Sequence, residues 1–304
     1  MKKNIVIVGV FSNEWSTNVF MANAFENIGF NVFRFDFRAF PKHEIPKMLI
    51  DFINSINDVF LIVFCKVDSV PIKTLKDLTG IIPTWYWFMD PMTVANTINA
   101  AERARACTYA SSTSYKVTEY FKNFNKNSYR IIEGVDTTLY RNLGLKKEYD
   151  VLFVGTPDQK RLNYLLNVPY NVKIFGNYWP QCKHETNPPI YNEDLVLAIN
   201  KSKIILNFTR PDSYSDRVTQ ILACGGFVLT EYADDLFMDF GDSLTYFTNV
   251  NELNQAIGYF LKAPTIRSNY IRKYYRKNLK PLIQTWEKTC DEIIQRVKEN
   301  DEPI

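Results

Sequence analysis

Short uninterrupted apolar runs, each followed by a segment of helical period, constrain this 304-residue chain more than any other feature. "NIVIVGV" (Asn4 to Val10), "DVFLIVFCK", "DVLFVGT" and "KIILNFT" place β-branched and aromatic residues at successive positions, so both faces of each strand must be covered. Between them, "NVFMANAFENIG", "EIPKMLIDFINSI" and "NEDLVLAINKS" read as helices. Strands alternating with helices predict an α/β fold with parallel sheets covered on both sides. The rhythm runs once through the first half and restarts at "DVLFVGT". Two doubly wound, Rossmann-like domains are therefore expected, at 1–140 and 149–280, facing across a cleft at the carboxyl ends of their strands. A linker is expected over 138–148. A last helix, 281–304, beginning at Pro281, is free to cross back to the first domain.

Hydrophobic residues at 46% supply two packed cores, and charged residues at 23% exclude a disordered chain. The net charge of +3 is too small and too dispersed to mark a nucleic-acid binder. Its main concentration is Arg267 to Lys280, read as a solvated helix face or a contact to an acidic partner. The five cysteines are an odd number without a C-x-x-C pair, which predicts reduced thiols and a cytoplasmic setting. Cys182 and His184 are half a metal site with no second half, so no metal is expected. The apolar run at the amino terminus is too short to span a membrane and reads as a first strand.

Three stretches carry polar groups where a parallel sheet presents ligand sites. "SYSDRVTQILACGGFVLTEY" (Ser213 to Tyr232) reads as a helix opened by Ser213, Ser215 and Asp216, with Ser213 as N-cap, closing at Gly225-Gly226 before a buried strand. Arg217 and Gln220 share one face of it, while Val218, Ile221 and Leu222 point inward. Unpaired N–H groups and the positive helix end, with the Arg217 guanidinium beside them, suit a phosphate or diphosphate. The alternative pairs Arg217 with Asp212 or Asp216. "DVLFVGTPDQKR" ends a strand on the Gly155-Thr156-Pro157 turn, from which Lys160 or Arg161 reaches a phosphate; it is not G-x-G-x-x-G. "TWYWFMDP" ends a strand on Asp90, which is a turn cap, a general base or a ligand for sugar hydroxyls. Trp85 and Trp87 point to one face of that strand, either into the core or, with Phe11 to Asn18, toward an acceptor.

"YDVLFVGTPDQKR", "VKIFGNYW", "INKSKIILNFTR", "DRVTQILACGGFVLTEY" and "NELNQAIGYFLKAP", in this order, resemble the carboxyl-terminal domain of GT-B glycosyltransferases. The nearest likeness is to the spore-maturation-protein (CgeB-like) group. "TWYWFMDP" and "EGVDTTLYR" resemble that group's first half and interdomain region. The resemblance covers most of residues 80–275; the first 80 fit only in rhythm.

The resemblance implies transfer of a sugar from a nucleotide-diphosphate-sugar co-substrate, with no other cofactor. The acceptor is open among a glycan, a protein, a small molecule and a nucleic acid, for which Arg103, Arg105 and Arg267 to Lys280 are the candidate contacts. Related retaining enzymes carry E-x7-E where this chain has Asp212 and Gln220. By that match Asp212 approaches the donor sugar, and Gln220 hydrogen-bonds the ribose without a carboxylate. Many relatives have His-Asp where this chain has Met89-Asp90. The leaving diphosphate is expected to be neutralised without metal by Arg217 and a second cation, Arg161 or Arg210. With retention Asp90 orients substrate; with inversion it is the base. A binding protein without catalysis is the competing reading.

Overall fold

Every strand contact in the computed structural model, which describes residues 2–210, 215–276 and 283–301, is parallel. The first six strands form one sheet: β1 (Asn4–Gly9), β2 (Asn31–Asp36), β3 (Val59–Cys65), β4 (Thr84–Phe88), β5 (Tyr109–Ser112) and β6 (Ser128–Arg130), in the order β2-β1-β3-β4-β5-β6. Its helices are α1 (Thr17–Asn27), α2 (Ile45–Asn54), α3 (Ile72–Thr79), α4 (Met92–Thr97), α5 (Ala100–Ala106) and α6 (Tyr115–Lys122). One face buries Val6, Ile62, Phe64 and Tyr86, the other Ile5, Ile7, Val63 and Trp85. This double burial is what the continuous apolar runs demand.

A second sheet comprises β7 (Tyr149–Val154), β8 (Val172–Phe175), β9 (Glu185–Asn187), β10 (Ser202–Asn207), β11 (Val228–Glu231) and β12 (Thr245–Phe247). Their order is β12-β11-β10-β7-β8-β9. Read from its other edge this is the third, second, first, fourth, fifth and sixth strand of the unit, the Rossmann order. The helices are α7 (Gln159–Leu166), α8 (Asn192–Asn200), α9 (Asp216–Ala223), α10 (Asp234–Phe240), α11 (Val250–Lys262) and α12 (Pro264–Arg276). Both sheets are thus doubly wound, and the fold is two Rossmann-like units.

The chain divides at Gly134/Val135, and the last segment, from Thr285, belongs with the first unit. That segment is α13 (Trp286–Asp301). Its Trp286, Cys290, Ile293, Ile294 and Val297 pack against Ile5, Ile7, Met21 and Phe25. The helix starts at Trp286 rather than at Pro281, which lies outside the described residues; Thr285 Oγ1 accepts the Lys288 N–H at 3.3 Å. Gly134 is a close approach between backbones. A Cβ there would fall 2.3 Å from the Trp286 backbone nitrogen. The stretch "TVANTINAAERA", continuous in helical period, forms two helices, α4 and α5, broken at Asn99, whose φ of 53° lies in the left-handed region that Asn tolerates.

Candidate functional site

In the second unit the strand order reverses between β7 and β10. Ligands of doubly wound sheets bind outside the carboxyl ends of the strands at such a point. The polar residues around it come from four segments: the β7–α7 turn, the end of β10, the start of α9 and the end of β11.

Gly155 follows β7 directly. Its N–H bonds the Phe175 carbonyl at 2.9 Å, and its carbonyl accepts the Trp179 indole N–H at 2.8 Å. Gly176 must lack a side chain, because a Cβ would lie 2.1 Å from the Gly155 oxygen. Asp158 caps α7 by accepting the Arg161 N–H at 2.8 Å. Arg161 folds back over its own turn: Nη1 donates to the Thr156 carbonyl at 2.8 Å, and the guanidinium lies 5.6 Å from the Phe153 ring centre. Burial lowers its pKa, Asp158 and Glu231 oppose that, and Arg210 and Arg217 add to it. Arg210 and Arg217 are therefore both within electrostatic reach of Arg161.

Helix α9 begins at Asp216 with Ser215 as N-cap, so the helix is shorter than expected and Ser213 is not its cap. Asp212 and Ser213 lie outside the described residues. Ser215 makes no capping bond; its hydroxyl donates to Asn207 Oδ1 at 3.0 Å, and Asn207 Nδ2 donates to Thr230 Oγ1 at 2.9 Å. Arg217 is half-buried, and among the described residues its buried Nη1 has no hydrogen-bond partner. Tyr140 and Cys224 feel its charge. Burial raises the pKa of both, that of Cys224 to about 12, and Arg217 works against this. Gln220 Nε2 donates to Asp216 Oδ2 at 3.0 Å, leaving its Oε1 buried without a partner among the described residues.

Two groups that sequence reasoning did not single out complete the cluster. Glu231, at the end of β11, accepts from Lys160 Nζ at 2.6 Å and from the Thr209 N–H and hydroxyl at 3.1 and 3.2 Å. Asn207 ties the α9 start to β11. Glu231 is legible only as a carboxylate ending a buried strand, a signal that does not say what it faces.

In the first unit Asp90 follows β4 and is buried, in an ion pair with Lys66. Lys66 directly follows β3 with φ of 45°, a conformation costly for a side chain with a Cβ. Of the two readings of Trp85 and Trp87, the structure takes the core: both are buried. Trp85 bonds Ser111 Oγ at 2.8 Å and stacks between Tyr109 and Tyr129, and Trp87 packs near Trp286. On a strand covered on both sides, alternation chooses between two cores, not between core and solvent. Trp15, on the loop after β1, is exposed instead.

Arg103 is also a correction. It is buried and donates to the carbonyls of Val67 and Val70 at 2.6 Å, Asp68 at 2.7 Å and Ile98 at 3.1 Å, so it is no nucleic-acid contact. Arg105 pairs with Glu102 at 3.1 Å. Arg267 donates to the Phe260 carbonyl, and the side chains from Lys273 to Lys280 lie outside the described residues. His184 is buried with Nε2 2.6 Å from the Leu165 carbonyl, and all five cysteines are free. Among the described residues no group of three His, Cys, Asp or Glu is placed to hold a metal, and no helix is long and apolar enough to cross a membrane.

Residues 159–295 match the family model described as glycosyl transferase-like. No curated protein matches the sequence. Among solved structures, sucrose-phosphate synthase of Thermosynechococcus elongatus superposes with a TM-score of 0.74 at 13% identity, covering 98% of this chain and 99% of that one. Anabaena HepE, solved with UDP and glucose, gives 0.68 at 13% identity over 97% and 99% of the two chains. Trehalose 6-phosphate synthase of Burkholderia multivorans gives 0.65 at 11% over 99% of each. At such identities the likeness is one of fold. The chain has the GT-B fold, two Rossmann-like units, and its residues 159–295 are similar to the glycosyl transferase-like family.

Proposed function

We propose that the chain is a glycosyltransferase that moves a sugar from a nucleotide-diphosphate-sugar donor to an acceptor, with unit 2 binding the donor. The observation that carries this reading is the gathering of Lys160, Arg161, Arg210 and Arg217 about the β7/β10 switch point. These like charges repel one another, Asp158 and Glu231 offset that repulsion in part, and a bound anion offsets it further. The family match over residues 159–295, and HepE with its bound UDP, make a nucleoside diphosphate the natural anion.

In this reading the charge developing on the leaving diphosphate is met by guanidinium groups and the start of α9, without a metal ion. Arg217 is the principal donor, because its Nη1 is buried without a partner among the described residues. Gln220 Oε1 takes a ribose hydroxyl, and Asp216 orients the amide. Gly155 and Thr156 shape the turn against which the phosphates lie. Asp212 is assigned to the donor sugar by the E-x7-E match and Ser213 to the diphosphate, both outside the described residues, and Ser215 to the N-cap of α9. The match of Asp212 and Gln220 to the E-x7-E of related retaining enzymes supports retention, with Asp90 orienting substrate. Glycans, proteins, small molecules and nucleic acids stay open as acceptors.

The test is a panel of UDP-, GDP- and ADP-sugars with release of free nucleoside diphosphate as readout. Turnover is expected with one donor, in the presence of chelator. Arg217→Ala is expected to lower it about 100- to 1,000-fold, the loss typical of one preorganised donor, with an unchanged melting temperature. Wild-type turnover in that variant sinks the assignment of Arg217; binding of a nucleotide sugar without release of diphosphate favours the non-catalytic reading.

A further inference from the structure

Two cations, Lys160 and Arg161, stand in the first turn of α7, where the helix dipole disfavours positive charge. Asp158 at the N-cap answers Arg161. Lys160 is answered from another strand, 71 residues away, by Glu231. The Glu231 carboxylate is the more enclosed partner, its side chain 13% exposed against 39% for Lys160. One oxygen, Oε2, takes the Lys160 ammonium, the Thr209 N–H and the Thr209 hydroxyl. Lys160 also donates to the Thr209 carbonyl at 2.6 Å. Glu231 is thus fixed by backbone, whereas Lys160 is a point charge on a flexible stem. Arg161 also feels the Glu231 charge.

We propose that Glu231 is the resident counter-ion of the anion site: it holds Lys160 in an ion pair that an incoming diphosphate breaks, and so sets how strongly the site takes an anion. The proposal rests on the reading of unit 2 as a diphosphate site. Glu231 is a positioning residue, since it touches Lys160 and Thr209 and not the diphosphate. Its negative charge opposes the ligand, and its removal strengthens anion binding. A residue that only braced the loop would, when changed, weaken binding or leave it alone.

Glu231→Gln separates the two roles, because the amide oxygen still accepts from Thr209 and Lys160 while the charge is gone. Inorganic pyrophosphate, UDP, ADP, GDP and uridine are titrated calorimetrically into the wild-type protein and the variant. Pyrophosphate and UDP are expected to bind Glu231→Gln about three- to tenfold more tightly, with uridine unchanged. Lys160→Met, which leaves Glu231 in place, is expected to weaken pyrophosphate binding at least about tenfold. Unchanged or weaker pyrophosphate binding by folded Glu231→Gln overturns the proposal. So does wild-type pyrophosphate affinity in Lys160→Met, a result that stands even if Glu231→Gln does not fold. The two readings fail separately. If no nucleoside diphosphate among UDP, ADP and GDP binds better than pyrophosphate, the nucleotide reading falls while the pyrophosphate arm still decides the role of Glu231. If pyrophosphate too fails to bind, both fall.

Discussion

Arg103 shows how little a residue's type says about its work. In sequence it sits beside Arg105 on a basic helix and reads as surface charge. In the structure its guanidinium is committed to four carbonyls, and burial lowers its pKa. Arg103→Ala is expected to lower the unfolding free energy by on the order of 3 kcal/mol, since each buried acceptor left without a donor costs about 1–3 kcal/mol. Arg105→Ala, an exposed change, is expected to stay within about 0.5 kcal/mol. Urea unfolding of both variants checks the contrast; equal effects would return Arg103 to the surface. Lys66 is the same lesson at a strained position: nothing local to "FCKVD" announces the ion pair with Asp90.

At the scale of elements, α13 is held by a backbone approach and an apolar stripe. Gly134→Ala forces a Cβ into backbone atoms of Thr285 and Trp286, which cannot swing aside as a side chain can. That variant is expected to release the start of α13, seen as faster amide exchange from Trp286 through Cys290, with a lower melting temperature. The helix also carries a pH-dependent penalty. Burial raises the Glu292 carboxyl pKa above its ordinary 4.5, while Arg296 and Arg130 pull the other way. A carboxyl raised in the folded state binds protons more readily there than when unfolded. The stability tied to it is therefore complete below pH 4.5 and is lost as pH rises through the folded-state value. Glu292→Gln is expected to be more stable than wild type at pH 7 and to lose that advantage near pH 4, measured by denaturant midpoints. Element identities were well marked in sequence, because a buried strand or an amphipathic helix writes its period locally. The break at Asn99 was not, since a left-handed residue leaves the surrounding pattern intact.

The whole molecule is two doubly wound units, with the chain returning to the first for its last helix. Without 285–304, the first unit would expose the surface now covered by Trp286, Cys290, Ile293, Ile294 and Val297. Burial of five such side chains is worth on the order of 10 kcal/mol, comparable to the stability of a whole domain. A chain ending at 284 is expected to show one cooperative melting transition, from the second unit, where the full chain folds two units. Retention of native-like exchange protection in β1 and β3 of the truncated chain would overturn this. What the sequence determined by itself was the class of fold, its two rounds and the segments that end at strand tips. Those are consequences of periodic burial, which is local. Which polar groups meet was decided only by tertiary structure. Strand order brings Lys160 to Glu231 and Lys66 to Asp90, and it closes both faces over Trp85 and Trp87. In a parallel sheet neighbours in space are far apart along the chain, and no local pattern encodes what a side chain at a strand's end will face.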